Sequence, residues 1–183
     1  MSKACIFLAD GFEEIEGLTV VDILRRAGVE IHMVSITGET KVTGSHGIEI
    51  KCDTCIGQEN FSEIELFVLP GGMPGTKNLG ACKALKELLT ASFEAGKKLA
   101  AICAAPSVLG DLGILKGKKA CCYPRFEEHL TGAQVVFDQV AQDGNVTTSR
   151  GMGTAIPFAL SLVSQMVSEE KAQELAQSII FKV

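Results

Sequence analysis

The sequence predicts an α/β sandwich: a mainly parallel sheet with helices on both faces. Three observations carry this. Short apolar runs recur along the chain, three of them run directly into glycine-rich turns, and most are followed by a segment with the apolar spacing of a helix. Strand, turn and helix in alternation demand crossover connections, which lay helices against the two faces of parallel strands.

The strands are read at 4–9 (ACIFLA), 30–36 (EIHMVSI), 65–72 (ELFVLPGG), 98–103 (KLAAIC) and 145–151 (NVTTSRG). Each is a short run rich in apolar or β-branched residues. Those ending in ADG, LPGG and SRGMG meet the glycine-rich turns. Helical spacing follows over 13–27, 82–95, 104–112 and 152–167, and a last helix opens with Ser168 as its cap and Glu169-Glu170 behind it. TKVTGSHGIEIKC and the stretch 119–141 read as extended or hairpin insertions. No repeat, low-complexity tract or linker divides residues 1–183, so a single domain is expected.

Composition narrows the classes of function. Apolar residues make up 46% and charged residues 21%, the balance of a globular domain with a sizeable core. A net charge of −5 gives no electrostatic reason to expect nucleic acid, and Arg25-Arg26 and Lys97-Lys98 are isolated pairs. No apolar run reaches the roughly 18 residues of a membrane span. The opening MSKACIFLAD carries one lysine and too short an apolar run for a signal peptide, so a cytoplasmic location is expected.

Seven cysteines, an odd number, suit a reducing compartment in which most are free and buried. Cys52 and Cys55 have CxxC spacing and Cys121 and Cys122 are adjacent, but a zinc ribbon pairs two CxxC units. A redox CxxC is expected to open a helix, and this one follows a strand-like segment. No metal and no cofactor is expected.

In such a sheet, chemistry gathers at the carboxyl ends of the strands. Cys103 lies there, between LAAI and APSVLG, with Ala101 and Ala105 two residues to either side. That is the spacing of a nucleophile elbow, whose sharp turn admits only small neighbours. A helix N-terminus at that point favours thiolate over thiol. The competing reading is an inert buried cysteine in an alanine-rich strand. Glu16 shares a helix face with Val20, Ile23 and Ala27, an otherwise apolar stripe that should pack on the sheet. Glu13 and Glu14 already complement the helix dipole, so a buried Glu16 with a raised pKa is a candidate proton carrier. In LPGGMPG, Gly72 allows close backbone approach, and its N–H together with that of Ala104 can serve an oxyanion. Neither a P-loop nor a dinucleotide fingerprint is present, since Ile156 occupies the third small position of RGMGTAI. His32 sits in an apolar strand and reads as core.

The motifs ADGFEEIEG, VLPGGMPGTKNL, AAICAAPSVL and TSRGMGTAIPFAL, in this order, resemble the ThiJ/PfpI superfamily, in the branch of the human parkinsonism-associated protein and its bacterial relatives. The resemblance implies a flavodoxin-like α/β sandwich and a homodimer. It makes Cys103 the functional thiol, Glu16 the carboxyl facing its sulfur, and Gly72 and Ala104 the oxyanion donors. Tyr123 stands where many relatives carry a histidine, and His129, six residues on, is a candidate replacement. His46 occupies a place where the human member has an arginine near its dimer interface; with Tyr123 and Arg26 it completes the candidate pocket. Ala104 follows the cysteine where the protease-like branch has histidine, and no His-x-Glu pair follows Cys103, which argues against peptidase and glutamine amidotransferase chemistry.

Two classes of function remain. One is an enzyme: a glutathione-independent glyoxalase or deglycase acting on small 2-oxoaldehydes such as methylglyoxal or glyoxal, or on glycated protein side chains, with Cys103 adding to the aldehyde and Glu16 moving a proton between carbons. The other is a redox sensor or stress chaperone that signals through Cys103 sulfinate.

Overall fold

A computed structural model describes residues 2–182. In chain order the elements are β1 (Lys3–Leu8), α1 (Glu14–Arg26), β2 (Glu30–Ser35), β3 (Lys41–Thr43), β4 (Glu49–Lys51), β5 (Thr54–Cys55), β6 (Leu66–Leu69), α2 (Gly75–Ala81), α3 (Lys83–Glu94), β7 (Lys98–Ile102), α4 (Pro106–Asp111), β8 (Lys119–Ala120), β9 (Gln134–Val135), β10 (Val140–Asp143), β11 (Val146–Ser149), α5 (Ala155–Met166) and α6 (Glu169–Ser178). Seven strands form one sheet in the order β10-β11-β7-β6-β1-β2-β5, in which only β10 pairs antiparallel.

The strands alternate between two cores. On one face Ala4, Ile6 and Leu8 pack with Val20, Ile23 and Leu24 of α1 and with Phe158, Leu162 and Val163 of α5. On the other, Cys5, Phe7 and Ala9 pack with Leu79 of α2, Leu85 and Leu89 of α3, and Val108 and Leu109 of α4. Strands buried on both sides read as continuous apolar runs, which is why LFVL and LAAI were legible. Each fully buried leucine, isoleucine or phenylalanine contributes about 1.5–3 kcal/mol relative to exposure.

Several elements differ from the sequence reading. The segment before 82–95 forms a separate helix, α2, whose buried face is only Gly75, Thr76 and Leu79, too small a stripe to register as periodic. In the stretch 119–141, β8 and β9 pair parallel, with a 3₁₀ turn at Glu127–His129 between them, so they make no hairpin. The antiparallel pair there is β10 with β11, closed by Gly144 at φ +59°. The hairpin of β3 and β4 forms as read. The CxxC becomes an edge: Thr54 and Cys55 pair with Val34 and Ser35 of β2. All seven thiols are free; Cys5, Cys52, Cys55, Cys121 and Cys122 are buried.

Candidate functional site

β7 delivers Cys103 to the carboxyl end of the sheet. The residue adopts φ +65°, a left-handed conformation that costs a side-chain-bearing residue about 1–3 kcal/mol. Flanking contacts hold it there. The Cys103 N–H donates to Ser149 O at 3.0 Å, and the Tyr123 N–H donates to Cys103 O at 2.7 Å. Ala101 and Ala105, both fully buried, leave room for the turn.

Glu16, in the first turn of α1, faces the same point from the neighbouring layer and is 1% exposed. Its Oε2 accepts from the Gly71 N–H at 2.9 Å, and its carboxyl is hydrogen-bonded to Cys103. Burial pushes Glu16 up to about 7, against the pull of those two hydrogen bonds. The backbone N–H groups of Ala104 and Gly72 point to the Cys103 sulfur. Cys103, Glu16, Gly72 and Ala104 therefore meet at one point.

The thiol itself does not follow the helix-end expectation. Burial pushes Cys103 up to about 12, reinforced by the charge and the hydrogen bond of Glu16; the two N–H donors oppose this only partly. The helix behind it, α4, has six residues, so few aligned peptides are available to favour a thiolate. At neutral pH the proton stays on sulfur, and Glu16, at about 7, stands beside it both as carboxylate and as acid.

The sequence pattern of the DJ-1/PfpI family matches residues 2–165. The chain belongs to the DJ-1/PfpI family. Protein DJ-1 homolog B of Arabidopsis thaliana is 38% identical over 182 residues, covering 98% of this chain and 42% of that protein. The chain thus spans less than half the length of the two Arabidopsis relatives it matches. Glutathione-independent glyoxalase DJR-1.2 of Caenorhabditis elegans is 31% identical over 168 residues, covering 91% of this chain and 89% of that protein. The structure of oxidized DJ-1 from Toxoplasma gondii superposes with a TM-score of 0.96 at 33% identity and covers both chains fully.

Within this DJ-1/PfpI fold the remaining candidates separate. Tyr123 is half-exposed and its ring lies against Gly151, where a Cβ would come within 3.3 Å of the ring. That same Cβ would be 4.0 Å from Glu16 Oε1, so Tyr123 flanks the mouth of the site. His46 does not join it. Its Nδ1 is 3.0 Å from Glu14 Oε2, and its N–H donates to Glu14 Oε1 at 2.8 Å. Burial pushes Glu14 upward, but the hydrogen bonds from His46 and from nearby backbone outweigh it and hold the group at about 2. Arg26 is also excluded. It lies ten residues beyond Glu16, about 15 Å along the helix, and its Nε bonds Asp22 at 2.6 Å. His129, in the 3₁₀ turn, lines a hollow with Thr76 of α2 and Ser107 of α4, and has Glu128 rather than Cys103 beside its ring. Nor is His32 core: it is partly exposed, with a glutamate at each ring nitrogen.

Gly71 went unnoticed in the sequence. A Cβ there would sit 2.6 Å from Cys103 Cβ and 2.7 Å from Glu16 Oε2, so only glycine lets the two side chains meet. The consecutive glycines of LPGG were the available signal. Gly151 was missed as well: its N–H donates to Thr154 Oγ1 at 3.1 Å, which pins the RGMG turn over the site.

Proposed function

We propose that this protein is a cysteine-dependent, glutathione-independent glyoxalase that also acts on early 2-oxoaldehyde adducts of protein side chains. The observation that carries the reading is the hydrogen-bonded Glu16–Cys103 pair, with the Gly72 and Ala104 N–H groups turned to the same sulfur. The glyoxalase name of the Caenorhabditis relative supports it.

In this reading Sγ bonds to the aldehyde carbon while the thiol proton passes to Glu16. The developing oxyanion is met by the Gly72 and Ala104 N–H groups and takes the proton back, giving a hemithioacetal. Glu16 then removes the proton from that carbon and returns one to the adjacent carbon, through an enediol, to leave a thioester of the 2-hydroxy acid. Water cleaves the C–S bond and the thiol regains its proton. The net change is 2-oxoaldehyde plus water to 2-hydroxy acid, an internal oxidation and reduction that consumes no external oxidant. A carboxyl with a pKa of about 7 is suited to both accepting and donating that proton near neutrality.

The test is lactate formation from methylglyoxal without glutathione. Wild type is expected to turn over; Cys103→Ser should abolish it, and Glu16→Gln should lower it about 10²–10⁴-fold, the usual contribution of a general acid–base group. Turnover by Glu16→Gln within about twofold of wild type would remove Glu16 from the mechanism.

A second reading, oxidation of Cys103 to sulfinate as a signal, is favoured by the same donors, because a protonated Glu16 and two N–H groups would hold the sulfinate oxygens. It requires Cys103 to gain two oxygens before any other cysteine under mild peroxide, Cys82 being the other partly exposed thiol. Two copies of the chain are proposed to pair through the apolar face around α1, and seven free thiols suit a cytoplasmic setting.

A further inference from the structure

A second cluster lies on the opposite core, away from Cys103. Cys5 of β1 and His32 of β2 are register partners in adjacent parallel strands, so their side chains leave the same face of the sheet side by side. The turn after β5 brings Glu59 over them: its N–H bonds Cys55 O, and its Oε2 lies 3.0 Å from His32 Nδ1. The thiol sulfur, a ring nitrogen and a carboxylate oxygen of these three residues all lie within 4.8 Å of one another. Behind the imidazole, Glu30 Oε1 stands 3.2 Å from His32 Nε2.

We propose that Cys5, His32 and Glu59 form a zinc site, with Sγ, Nδ1 and a carboxylate oxygen as ligands and a solvent molecule in the fourth position.

Chemistry and geometry agree on this choice. One sulfur, one imidazole nitrogen and one carboxylate oxygen form the mixed donor set that zinc accepts, whereas calcium and magnesium take oxygen alone. Tetrahedral ligands about 2.0–2.3 Å from zinc stand roughly 3.3–3.8 Å apart, so separations that are all within 4.8 Å need shifts of at most about 1 Å. The Glu30–His32 contact is the carboxylate–imidazole arrangement that fixes the tautomer of a zinc-bound histidine: Nε2–H donates outward and leaves Nδ1 free for the metal. The side chain of His32 is 33% exposed and that of Glu59 10%, while Cys5 is fully buried, which gives an ion a way in from the histidine side.

Charge points the same way. Glu59 at Nδ1 and Glu30 at Nε2 set two carboxyl groups around one imidazole, a surplus of negative charge that favours a cation there. Of the cations nearby, Arg25 is engaged by Asp53 at 3.0 Å and Lys3 by Glu63 at 2.6 Å, while Glu59 meets His32 Nδ1 through Oε2 and accepts from the Asn60 N–H at Oε1, 3.2 Å away. Binding replaces the thiol proton and the Nδ1 proton that faces Glu59 with metal–ligand bonds and releases both protons to solvent.

The site is separate from the reaction centre. Cys5 pairs with Phe67 and Phe67 with Leu99, so Cys103 lies two strands across and four residues further along β7. Zinc there would tie β1, β2 and the turn after β5 together, a structural role independent of aldehyde turnover.

The experiment uses full-length protein stripped with a chelator and freed of it. Titration with zinc against a chromophoric competitor should give one equivalent bound, and zinc should raise the thermal midpoint by several degrees through mass action. Cobalt in place of zinc should give a near-ultraviolet sulfur-to-metal charge-transfer band. Cys5→Ser should remove the band, and His32→Gln, at a partly exposed position that tolerates the change, should remove both the band and the thermal shift. Glu30→Gln should weaken binding about tenfold, and Cys103→Ser should leave all three readouts intact. Absence of a one-to-one complex, a band that survives Cys5→Ser, or one that disappears with Cys103→Ser would overturn the proposal.

Discussion

A carboxyl that is 1% exposed holds its proton to higher pH than one in water, and Glu16 is raised from an ordinary 4.5 to about 7. Between those values the folded protein carries a proton that the unfolded chain has lost. Stability attributable to this group is therefore intact below about pH 4.5 and falls as pH rises to 7. The shift corresponds to about 3 kcal/mol. Glu16→Gln does not titrate, so its stability relative to wild type should improve by about that amount between pH 5 and pH 8. Urea unfolding of both proteins at the two pH values measures it; a gap that does not change with pH would mean that Glu16 is not held protonated by burial. Cys103 is displaced in the same direction and titrates above this window. Two groups that each resist ionisation, hydrogen-bonded to one another, make proton exchange between them the natural first event when an aldehyde arrives.

The turn between β6 and α2 is where backbone shape and chemistry meet. A Cβ on Gly71 would meet both reacting side chains, and Gly72, at φ +92°, has no room for one against the backbone of Phe12 and Glu13. Gly71→Ala forces Cys103 or Glu16 to move, because Cys103 Cβ is fixed to its backbone and Glu16 Oε2 is held by the Gly71 N–H. Turnover is expected to fall about a hundredfold and stability by about 1–3 kcal/mol, the usual cost of overpacking. Gly28, at φ +82° with nothing within 4 Å, separates the two effects. Gly28→Ala should cost about 1 kcal/mol in unfolding free energy and leave turnover unchanged. Equal turnover losses in the two variants would mean that Gly71 matters only for stability.

Across the molecule, exposed apolar side chains gather around α1. Ile15 is 50% and Ile48 53% exposed, and with Leu18, Ile156 and Ile179 they line one shallow hollow. A contiguous apolar patch rimmed by Glu14 and Asp22 is the form an isologous interface takes. Wild type should sediment as a dimer at micromolar concentration. Ile48→Glu should sediment as a folded monomer, since the residue has no core to disrupt. A monomeric wild type would reject the pairing proposal. The patch adjoins Glu14 and His46, the residue whose place the family resemblance puts near a dimer interface.

What the sequence determined by itself was whatever neighbouring residues encode. Apolar runs buried on both sides marked β1, β6 and β7, the 3.6-residue repeat marked α1, α3 and α5, and small residues on either side of Cys103 marked the elbow. The odd carboxyl on the apolar face of α1 pointed to Glu16 for the same reason: periodicity says which face is buried before anything is folded. Tertiary structure decided the rest. α2 escaped because its buried stripe is glycine, threonine and a single leucine, and β10 because an edge strand needs only one apolar face. Arg26 and His46 are candidate pocket residues in the sequence, yet the helix carries Arg26 ten residues from Glu16 to its other end, and the segment between β3 and β4 delivers His46 to Glu14. The direction of the Cys103 shift needed the burial and the facing charge, neither of which is a property of the local segment. Cysteine spacing drew attention to Cys52 and Cys55. The thiol that finds a histidine and a carboxylate is Cys5, whose partners lie 27 and 54 positions away and are brought to it only by strand register and the turn after β5.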